Sequence, residues 1–514
     1  MMSKPKLVDE YSDHLTDLLK NFLLPKSKAL KPGMKVIHDP LWGSRLFYPW
    51  EIALLDTPLC QRLRQIHQLG SAFLTYPSGV HNRFCHTLGV TILAGRLITR
   101  LKEKAEVQAV KDVGISNRDI YTVRLAGLLH DVGHCFLSHA SEIALGPIVK
   151  PVMKEVEISA KPHEFFSYLI VSNPYFLEYW EKNIAGLFPD SESVPSLDDI
   201  SKIIVGIPPS DDKRYLQDII YGPYDVDKLE YLYRDARTAG LEITYDIERY
   251  FYKIHIFADD SGCRLAMEQG GVSAVEQMIF SKMMLFSFVY HHQKVLASDI
   301  LVHDIVMELL HEKNDRIDIE HPTDFLKYTD YDLFSSCNVG TTDRYNKIRD
   351  KIKNRDLPKR CLVLNKESVV NLTTDYSVKK NWRRLLEDLR GLPSTRYELR
   401  KKIVAEMRSI DGCENFSIDD IYFSFPKAPS FDEAVHGPVM TFSGKIAPMG
   451  DFFDLEGWKT TYDLKKLKGY FFVTDKYIDI ASRVISRFLE AEYSLVFNEN
   501  AKIQAKVFDG SKAN

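Results

Sequence analysis

The residues of this chain best suited to chemistry are two histidines and two aspartates that come from three separate segments. His130 and Asp131 are adjacent, His86 lies upstream of them, and Asp227 lies downstream. Imidazole nitrogen and carboxylate oxygen together suit first-row divalent metal ions, whereas the cysteines lack the spacing of a structural zinc site. His134 follows His130 by four residues, so near-helical geometry would direct both towards one site. These residues predict a mixed nitrogen/oxygen metal site and, with it, a hydrolase.

A His-Asp dipeptide alone proves little, because the chain has two others, at 38–39 and 303–304. The middle pair differs from both in its surroundings. It follows the small, apolar run 125–129 and is continued by Gly133, which permits a close backbone approach. Histidines are also concentrated around it: six of the 16 lie within residues 81–163, where even spacing would place about 2.6.

Neighbouring side chains could carry protons. His139 is followed three residues later by Glu142, and His163 precedes Glu164 at a helix start after Pro162. A carboxylate beside an imidazole orients its tautomer and raises its pKa, which suits an acid that protonates a leaving oxygen. The alternative for Glu164 is a carboxylate that stabilises a helix N-terminus.

The bulk properties exclude several classes of protein. At 514 residues, with 45% hydrophobic and 27% charged residues, the chain has ordinary globular composition and predicts two or more lobes. A net charge of −4 does not require a nucleic-acid partner. Seven cysteines without CxxC spacing suit a reducing compartment, the charged N-terminus lacks the core of a signal peptide, and no long uncharged apolar run could span a bilayer. We therefore expect a soluble, cytoplasmic protein.

Hydrophobic patterning predicts a mainly α protein in three regions. Residues 1–34 form an amphipathic helix and a Lys/Pro linker, 35–320 form a helical core that opens with a hairpin at 35–48, and 321–514 form a smaller α+β lobe. In the last region, strand-like pieces at 361–364, 421–425 and 470–473 alternate with helical pieces at 382–389, 397–407 and 478–488. A basic stretch at 379–402 is typical of a solvated helical face, although it could touch a nucleotide or nucleic acid.

Several motifs occur in an order that is found in one family of hydrolases. They are Asp56-Thr57-Pro58, Gln61 to Arg64, Gln68-Leu69-Gly70, His81 to Phe84, His86, Gly127 to His134, Ser138-His139, His163-Glu164 and Asp225 to Asp235. In these motifs the chain resembles the HD-domain superfamily, and within it the deoxynucleoside triphosphate triphosphohydrolases, including the bacterial dGTPase-like enzymes. The resemblance is strong over residues 35–300 and loose beyond them.

This resemblance implies an HD-domain helical core and a role for each matching residue. The metal ligands would be His86, His130, Asp131 and Asp227. The catalytic pocket would be lined by His134, His139, Glu142, His163 and Glu164, with His139 as the best candidate for a general acid. The substrate contacts would be Arg83 on phosphate, Gln68 and Asp235 on the sugar 3′-hydroxyl, Tyr290 against C2′, and Lys228, Tyr231 and Lys282.

The chain departs from the family pattern at some of these positions. Lys282 stands where the family has an arginine, which keeps the charge but loses the bidentate fork. Glu142 stands where the family has an aspartate. Asp56 and Arg64 fall where a mammalian member binds an activating nucleotide, but nearby residues such as His38 differ. Effector binding is therefore expected without an identity for the effector.

The resemblance implies hydrolysis of deoxynucleoside triphosphates (dNTPs) to deoxynucleoside and inorganic triphosphate. It further implies a divalent ion (Fe, Mn, Mg, Ni or Zn) and a homo-oligomer of two, four or six copies, with an oligomerisation or regulatory role for the C-terminal lobe. No membrane partner is expected, because no long uncharged apolar run could span a bilayer. One alternative is an HD phosphodiesterase or nucleotidase acting on another nucleotide, against which Gln68, Asp235 and Tyr290 argue. The other is a nucleotide-responsive binding protein that grips nucleic acid through residues 379–402.

Overall fold

The mainly helical fold expected from the sequence, with a smaller strand-containing C-terminal region, is confirmed in the computed structural model. The structure describes residues 6–24, 33–108, 114–243, 245–259, 262–311, 319–334, 342–498 and 501. The predicted N-terminal helix is present as α1 (Leu7–Phe22), whereas most of the predicted Lys/Pro linker lies outside the described residues.

Twenty further α-helices follow within the described residues. They are α2 (Pro49–Leu55), α3 (Pro58–Gln61), α4 (Arg83–Gln108), α5 (Asn117–Leu129), α6 (His139–Glu155), α7 (Pro162–Val171), α8 (Pro174–Asn183), α9 (Leu197–Ile204), α10 (Arg214–Ile220), α11 (Val226–Thr238), α12 (Ile247–Lys253), α13 (Val272–Leu285), α14 (Gln293–His311), α15 (Asp330–Phe334), α16 (Asp343–Lys353), α17 (Tyr376–Leu389), α18 (Pro393–Arg408), α19 (Asp432–Val435), α20 (Leu455–Thr461) and α21 (Ile478–Tyr493). A π-helical segment, Phe286–Tyr290, continues α13.

The described strands form three small sheets. The strands are β1 (Lys35–Asp39), β2 (Gly43–Phe47), β3 (Ile254–Asp259), β4 (Gly262–Glu268), β5 (Lys359–Leu364), β6 (Ile421–Ser424), β7 (Pro438–Met440), β8 (Ile446–Pro448) and β9 (Gly469–Val473). β1 and β2 form the predicted hairpin, with Val36 opposite Leu46. A second sheet has the order β3-β4-β7-β8, in which only the β4–β7 pair is parallel, and a third has the antiparallel order β5-β9-β6.

Two compact units interleave along the chain. The first comprises residues 1–282, 309–341 and 431–454, and the second comprises 283–308, 342–430 and 455–514. The predicted boundary at residue 320 stays a prediction. Both units are discontinuous in sequence, and each includes segments before and after that residue. The second unit has its own hydrophobic core, which includes Trp382, Ile403, Phe471 and Ile485.

A buried helix, α5, lies at the centre of the first unit. Its N-terminus is closed by a capping box in which Ser116 and Asp119 bond each other's backbone amides. From Tyr121 to Leu129 every residue is buried, because α4, α9 and α10 pack around it. The chain emerges from this rigid helix directly into His130.

Local patterning located some strands and missed others. The three strands and three helices expected after residue 320 correspond to β5, β6, β9, α17, α18 and α21. By contrast, β3 and β4 fall in a region predicted as mainly helical. Their sheet is completed by β7, about 170 residues further along the chain, and pairing over such a separation leaves no periodic signal in a local window.

The basic stretch is not one solvated face. Arg400 is buried and donates to Asp304, whereas Lys402 lies 2.8 Å from Glu492 and Arg384 lies 3.5 Å from it. Lys379 and Lys380 are at or near the surface of α17. The expectation of a uniformly exposed cationic run is therefore wrong at Arg400.

One helical stretch, Gln269–Tyr290, is long and apolar enough to cross a bilayer by length and composition, with mean hydropathy 1.3. Core helices of soluble proteins pass the same criterion, so this is weak evidence for a membrane span. The stretch carries Glu276 and Lys282. Six cysteines in the described part of the chain are free, and the expected cytoplasmic location stays a prediction.

Candidate active site

Helix ends bring the predicted site residues together in the first unit. Arg83 begins α4 and His139 begins α6, while His163 and Asp227 lie in the first turns of α7 and α11. His130 directly follows the last residue of α5. The positive end of the helix dipole lies at each N-terminus, so four of these five ends favour an anionic ligand.

The four predicted metal ligands lie side by side. His86 Nε2 is 3.0 Å from Asp227 Oδ1 and 3.6 Å from Asp131 Oδ2. His130 Nε2 is 3.4 Å from Asp131 Oδ1, 3.7 Å from Asp227 Oδ1 and 3.3 Å from His86 Nε2. Two imidazole nitrogens and two carboxylates therefore surround one small space.

Both histidines are oriented through their other ring nitrogen. His86 Nδ1 lies 2.6 Å from Glu230 Oε2, and His130 Nδ1 lies 2.8 Å from the carbonyl oxygen of Gly127. A ring that donates from Nδ1 has its Nε2 available as a metal ligand, and oxygen partners of this kind accompany metal-binding histidines. The donor set therefore fits a divalent ion.

Glu230 is the residue of this centre that the sequence analysis missed. Its side chain is fully buried and accepts hydrogen bonds from Trp42 Nε1 at 3.0 Å and Arg234 Nε at 2.6 Å. Gly89 on α4 makes room for it, because a Cβ there would lie 2.1 Å from Glu230 Oε1. Glu230 is three residues after Asp227 on α11, and this spacing on one helix face could have identified it.

Arg83 contacts both a predicted metal ligand and the residue that precedes His139. Its Nη1 donates to Asp131 Oδ2 at 2.8 Å and its Nε to Ser138 Oγ at 3.0 Å, while Nη2 is buried without a hydrogen-bond partner among the described residues. Burial would raise the pKa of Asp131, but Arg83 and then His130 overcome this and hold it well below its usual range. Asp131 is therefore an anion, as a metal ligand must be.

Three histidines gather around Glu142 beside Asp131. Glu142 Oε2 is 2.9 Å from His139 Nδ1, and Oε1 is 2.5 Å from His163 Nδ1. His134 stacks on His163 with ring centroids 3.8 Å apart, and burial and then Arg83 lower the pKa of His134 well below its usual value. Despite its burial, His163 and His139 hold the pKa of Glu142 well below its usual range. His139 is the most accessible of the three rings, with 57% of its side chain exposed.

Gly133 permits a close contact between the His130–His134 segment and α7. A Cβ at this position would lie 2.3 Å from the carbonyl oxygen of His163, so no other residue fits without movement. Ser167 on α7 closes the contact: it accepts from the Gly133 amide at 2.8 Å and donates to the His130 carbonyl at 2.6 Å. The close approach expected at Gly133 is confirmed.

Glu164 has a structural partner as well as a place near the site. Its Oε2 accepts from the Lys161 amide at 2.8 Å and its Oε1 lies 2.8 Å from Lys161 Nζ, which closes the N-terminus of α7. It is also 3.9 Å from His163 Nε2. The alternative of a helix-capping carboxylate therefore describes its hydrogen bonds in full.

The two predicted sugar contacts lie next to His81. Asp235 Oδ1 is 2.7 Å from His81 Nε2, and the backbone N–H of Gln68 donates to the backbone carbonyl of His81 at 2.9 Å. Gln68 Oε1 is buried without a hydrogen-bond partner among the described residues. Sequence reasoning named His81 only as part of a motif, yet it joins the two segments.

Three further predicted substrate contacts, Lys228, Tyr231 and Lys282, each have different surroundings. Lys228 Nζ is held by Asp225 and the carbonyl of Gly222, so it is engaged at its own helix start. Tyr231 is one turn after Asp227, and burial followed by the charge of Asp227 raises its pKa. Lys282 Nζ lies 5.6 Å from the ring centre of Phe431.

Tyr290 and the two predicted effector residues have partners elsewhere. Tyr290 belongs to the second unit, where its ring packs edge-on against Phe286. Asp56 Oδ2 lies 3.7 Å from Lys35 Nζ, and the guanidinium of Arg64 lies 3.7 Å from the ring centre of Phe84. The assigned roles of these residues stay predictions.

Comparison with known proteins agrees with the geometry. Residues 83–204 match the family model of the HD domain, and residues 245–388 match that of the HD associated region. The chain is 30% identical to the deoxynucleoside triphosphate triphosphohydrolase SAMHD1 of Bos taurus over 296 residues (54% of this chain, 48% of that protein) and 30% identical to that of Homo sapiens over 294 residues (54% and 44%). It is 27% identical over 327 residues to the uncharacterized protein MJ1154 of Methanocaldococcus jannaschii (63% and 59%). The chain spans about half the length of these curated relatives.

Proposed function

This chain belongs to the HD-domain superfamily, and we propose that it is a metal-dependent hydrolase that converts dNTPs to deoxynucleoside and inorganic triphosphate. The observation that carries the proposal is the position of Asp131. One of its oxygens lies 3.6 Å from His86 and 2.8 Å from Arg83, while the other lies 3.7 Å from His163. Asp131 is thus next to a predicted metal ligand, to the guanidinium proposed to bind phosphate and to a histidine of the Glu142 cluster.

The residues that would hold the ion are His86, His130, Asp131 and Asp227. A divalent ion bound there would polarise a phosphate oxygen and lower the pKa of a bound water. The chain's own contribution is to orient these ligands, through Glu230 behind His86 and the Gly127 carbonyl behind His130. Ion identity is left open by the donor set, which suits several first-row ions and magnesium.

Arg83 would bind the triphosphate. Two of its nitrogens are fixed by Asp131 and Ser138, so the guanidinium is held in one orientation. Its third nitrogen, Nη2, is buried and unpaired among the described residues, which is costly unless a ligand accepts from it. A phosphate oxygen is the acceptor that a preorganised guanidinium matches best.

His139 would deliver the proton to the leaving group. Water attacks the α-phosphorus, the bond from phosphorus to the 5′-oxygen breaks, and the 5′-oxygen takes a proton from His139 while the water loses one to solvent. Glu142 faces Nδ1 of His139 and so leaves Nε2 to face the substrate. The exposure of this ring supports the assignment, since an acid must reach a bound molecule.

Deoxyribose would be recognised near His81. Gln68 Oε1 is a buried acceptor without a partner in the described part of the chain, and Asp235 is a buried carboxylate. Both could accept from a 3′-hydroxyl, and an unpaired acceptor penalises ligands that lack the donor.

We also propose that activity responds to a nucleotide bound at Asp56 and Arg64 and that the protein forms homo-oligomers. Support comes from the position of Arg64, whose guanidinium covers the ring of Phe84, the residue after Arg83. An anion at Arg64 would therefore act one residue away from the proposed phosphate contact. Light scattering and dNTP turnover, measured with and without each ribonucleoside and deoxynucleoside triphosphate, test both statements.

The deciding experiment is a product analysis. The protein is incubated with each dNTP and with Mg²⁺, Mn²⁺, Fe²⁺, Ni²⁺ or Zn²⁺, in the presence of mixed nucleotides, and the products are separated by ion-exchange chromatography. Deoxynucleoside and triphosphate in equal amounts are expected, and none from D131A. Pyrophosphate with deoxynucleoside monophosphate, faster turnover of cyclic nucleotides or guanosine tetraphosphate, or no turnover of any dNTP would refute the proposal.

A further inference from the structure

Asp330 lies far along the chain from the proposed metal ligands and from the histidines around Glu142, yet it contacts two segments of the site. It is the first residue of the short helix α15 and is 2% exposed. Its segment belongs to the first compact unit, which also contains the proposed active centre. A buried carboxylate needs several donors to offset its desolvation, so its partners define its role.

Both oxygens of Asp330 are used, and each binds a different segment. Oδ2 accepts from the His67 amide at 2.9 Å and lies 2.5 Å from His67 Nδ1. Oδ1 accepts from the Leu137 amide at 2.5 Å. His67 precedes Gln68, and Leu137 precedes Ser138 and His139. We call this arrangement the Asp330 bridge.

The segment held at Leu137 is in a strained conformation. Leu137 and Ser138 both have φ of +51°, in the left-handed region that non-glycine residues rarely occupy. Such conformations are unfavourable for non-glycine residues and persist only where surrounding contacts over-determine them. The hydrogen bond from the Leu137 amide to Asp330 is one such contact.

A second set of contacts shows that the two bridged segments lie very close together. Ser138 Oγ donates to the His67 carbonyl at 2.5 Å and accepts from Arg83 Nε at 3.0 Å. Gly70 has φ of +53°, and a Cβ there would lie 2.7 Å from the Leu137 carbonyl oxygen. Movement of Leu137 would therefore displace Ser138 and, through it, the guanidinium of Arg83.

We propose that Asp330 is a positioning residue: by bridging His67 and Leu137 it fixes Ser138, Arg83 and His139 in their reactive geometry. The inference rests on the proposed function for its catalytic consequence, while the bridge itself can be tested without turnover. The contacts of Asp330 among the described residues are with His67 and Leu137, and neither of these is a proposed metal ligand or substrate contact. Its effect is exerted on the backbone that carries those groups.

The test compares D330N with D332N. Asparagine is isosteric, but in either orientation its NH₂ group faces one of the two amide donors, so one half of the bridge breaks. Asp332 lies two residues along the same helix and, among the described residues, accepts from Thr329 alone, so D332N keeps the bridge. The amide oxygen introduced by D332N can still accept from the Thr329 amide, which makes this variant a matched control.

Three quantities are measured for each variant. Hydrogen exchange of peptides covering residues 63–70 and 134–140 should rise in D330N and stay at the wild-type level in D332N. Manganese bound after incubation with MnCl₂ should be equal in all three proteins. In D330N, kcat for dNTP hydrolysis should fall about 100-fold, as expected for a displacement near 1 Å, with a smaller change in KM.

Several results would overturn the inference: unchanged exchange in D330N, raised exchange with wild-type kcat, or an equal loss of kcat in D332N. If D330N does not fold, H67A replaces it; this variant removes only the side-chain half of the His67 contact and should raise exchange at 63–70 and lower kcat to a smaller degree. Absence of dNTP turnover in the wild type would refute the proposed function, whereas the exchange measurement would still decide whether the bridge exists.

Discussion

His86 and His130 face each other with their Nε2 atoms 3.3 Å apart, and Nδ1 of each ring is within hydrogen-bond distance of a protein oxygen. Two imidazole lone pairs directed into one buried space repel each other unless a proton or a cation lies between them. Hydrogen bonds to Asp227 and Glu230 outweigh the opposing effect of burial and raise the pKa of His86 to about 10. The affinity for a metal ion should therefore depend on Glu230 and the Gly127 carbonyl, which contact Nδ1 of the two rings, as well as on the ligands themselves.

E230Q should weaken metal binding without removing a ligand. Glutamine keeps an oxygen for His86 Nδ1 but loses the charge that polarises the ring, and loss of such partners typically costs 10–100-fold in affinity or activity. Calorimetric titration with Mn²⁺ measures the affinity. At saturating Mn²⁺, kcat should recover most of the wild-type value.

The control for this prediction is E248Q. Glu248 is an exposed partner of Arg96 on another face of the first unit, so its replacement should leave Mn²⁺ affinity unchanged. Wild-type affinity in E230Q would contradict the prediction. A lower melting temperature of E230Q is consistent with the prediction if Mn²⁺ restores the wild-type value, because a ligand that binds only the folded state stabilises that state.

E142Q should separate proton transfer from metal binding. Glu142 faces Nδ1 of both His139 and His163, and a glutamine has only one oxygen to offer them. General acid catalysis contributes about 10²–10⁴-fold, so kcat should fall by at least about 100-fold while Mn²⁺ affinity stays constant. E142D, which has a carboxylate on a shorter side chain, should lie between E142Q and wild type. Equal kcat values for wild type and E142Q would exclude Glu142 from the reaction.

R83K tests whether the guanidinium fork is required. Lysine keeps the positive charge but cannot bind Asp131, Ser138 and a phosphate oxygen at once. A hydrogen bond to a charged group contributes about 1.5–3 kcal/mol, so kcat/KM for dNTP should fall by about 10–150-fold. R100K, at an exposed arginine of α4 that is paired with Glu103, should leave kcat/KM unchanged. A smaller loss in R83K than in R100K would reverse the assignment.

The grouping of the four predicted metal ligands, and of the histidines around Glu142, could be anticipated because each residue comes from a short motif with unusual composition. Glu230 was missed although it lies on the same helix as Asp227, and Asp330 was missed because nothing in residues 319–334 indicates contact with His67 or Leu137. Both act through buried contacts with distant segments. Such contacts depend on tertiary packing, which composition and periodicity do not record.

The two remaining His-Asp dipeptides show why the pattern needed its surroundings. Asp39 accepts from Arg234 at 2.9 Å and from the backbone amides of Leu41 and Trp42. It therefore helps to hold Arg234, which also donates to Glu230. Asp304 belongs to the second unit and is paired with arginines there. Neither dipeptide belongs to a group of described residues that could hold a metal ion, and both aspartates are paired with arginines instead.

D304N should destabilise the second unit in a pH-dependent way. Asp304 is buried and lies 2.8 Å from Arg400 Nη1 and 3.0 Å from Arg344 Nη2; burial opposes ionisation, but these arginines and His303 hold its pKa below the usual range. Removing one partner from a buried charge network costs about 3–5 kcal/mol. Because the folded pKa is depressed, the carboxylate stabilises the fold fully above its unfolded pKa of about 3.9, and this contribution is lost as the pH falls through the folded pKa. In urea unfolding, the difference in free energy of unfolding between wild type and D304N should therefore be large at pH 7 and smaller at acid pH. D350N, at an exposed residue, should match wild type at every pH. A difference for D304N that is the same at pH 7 and at acid pH would contradict the argument.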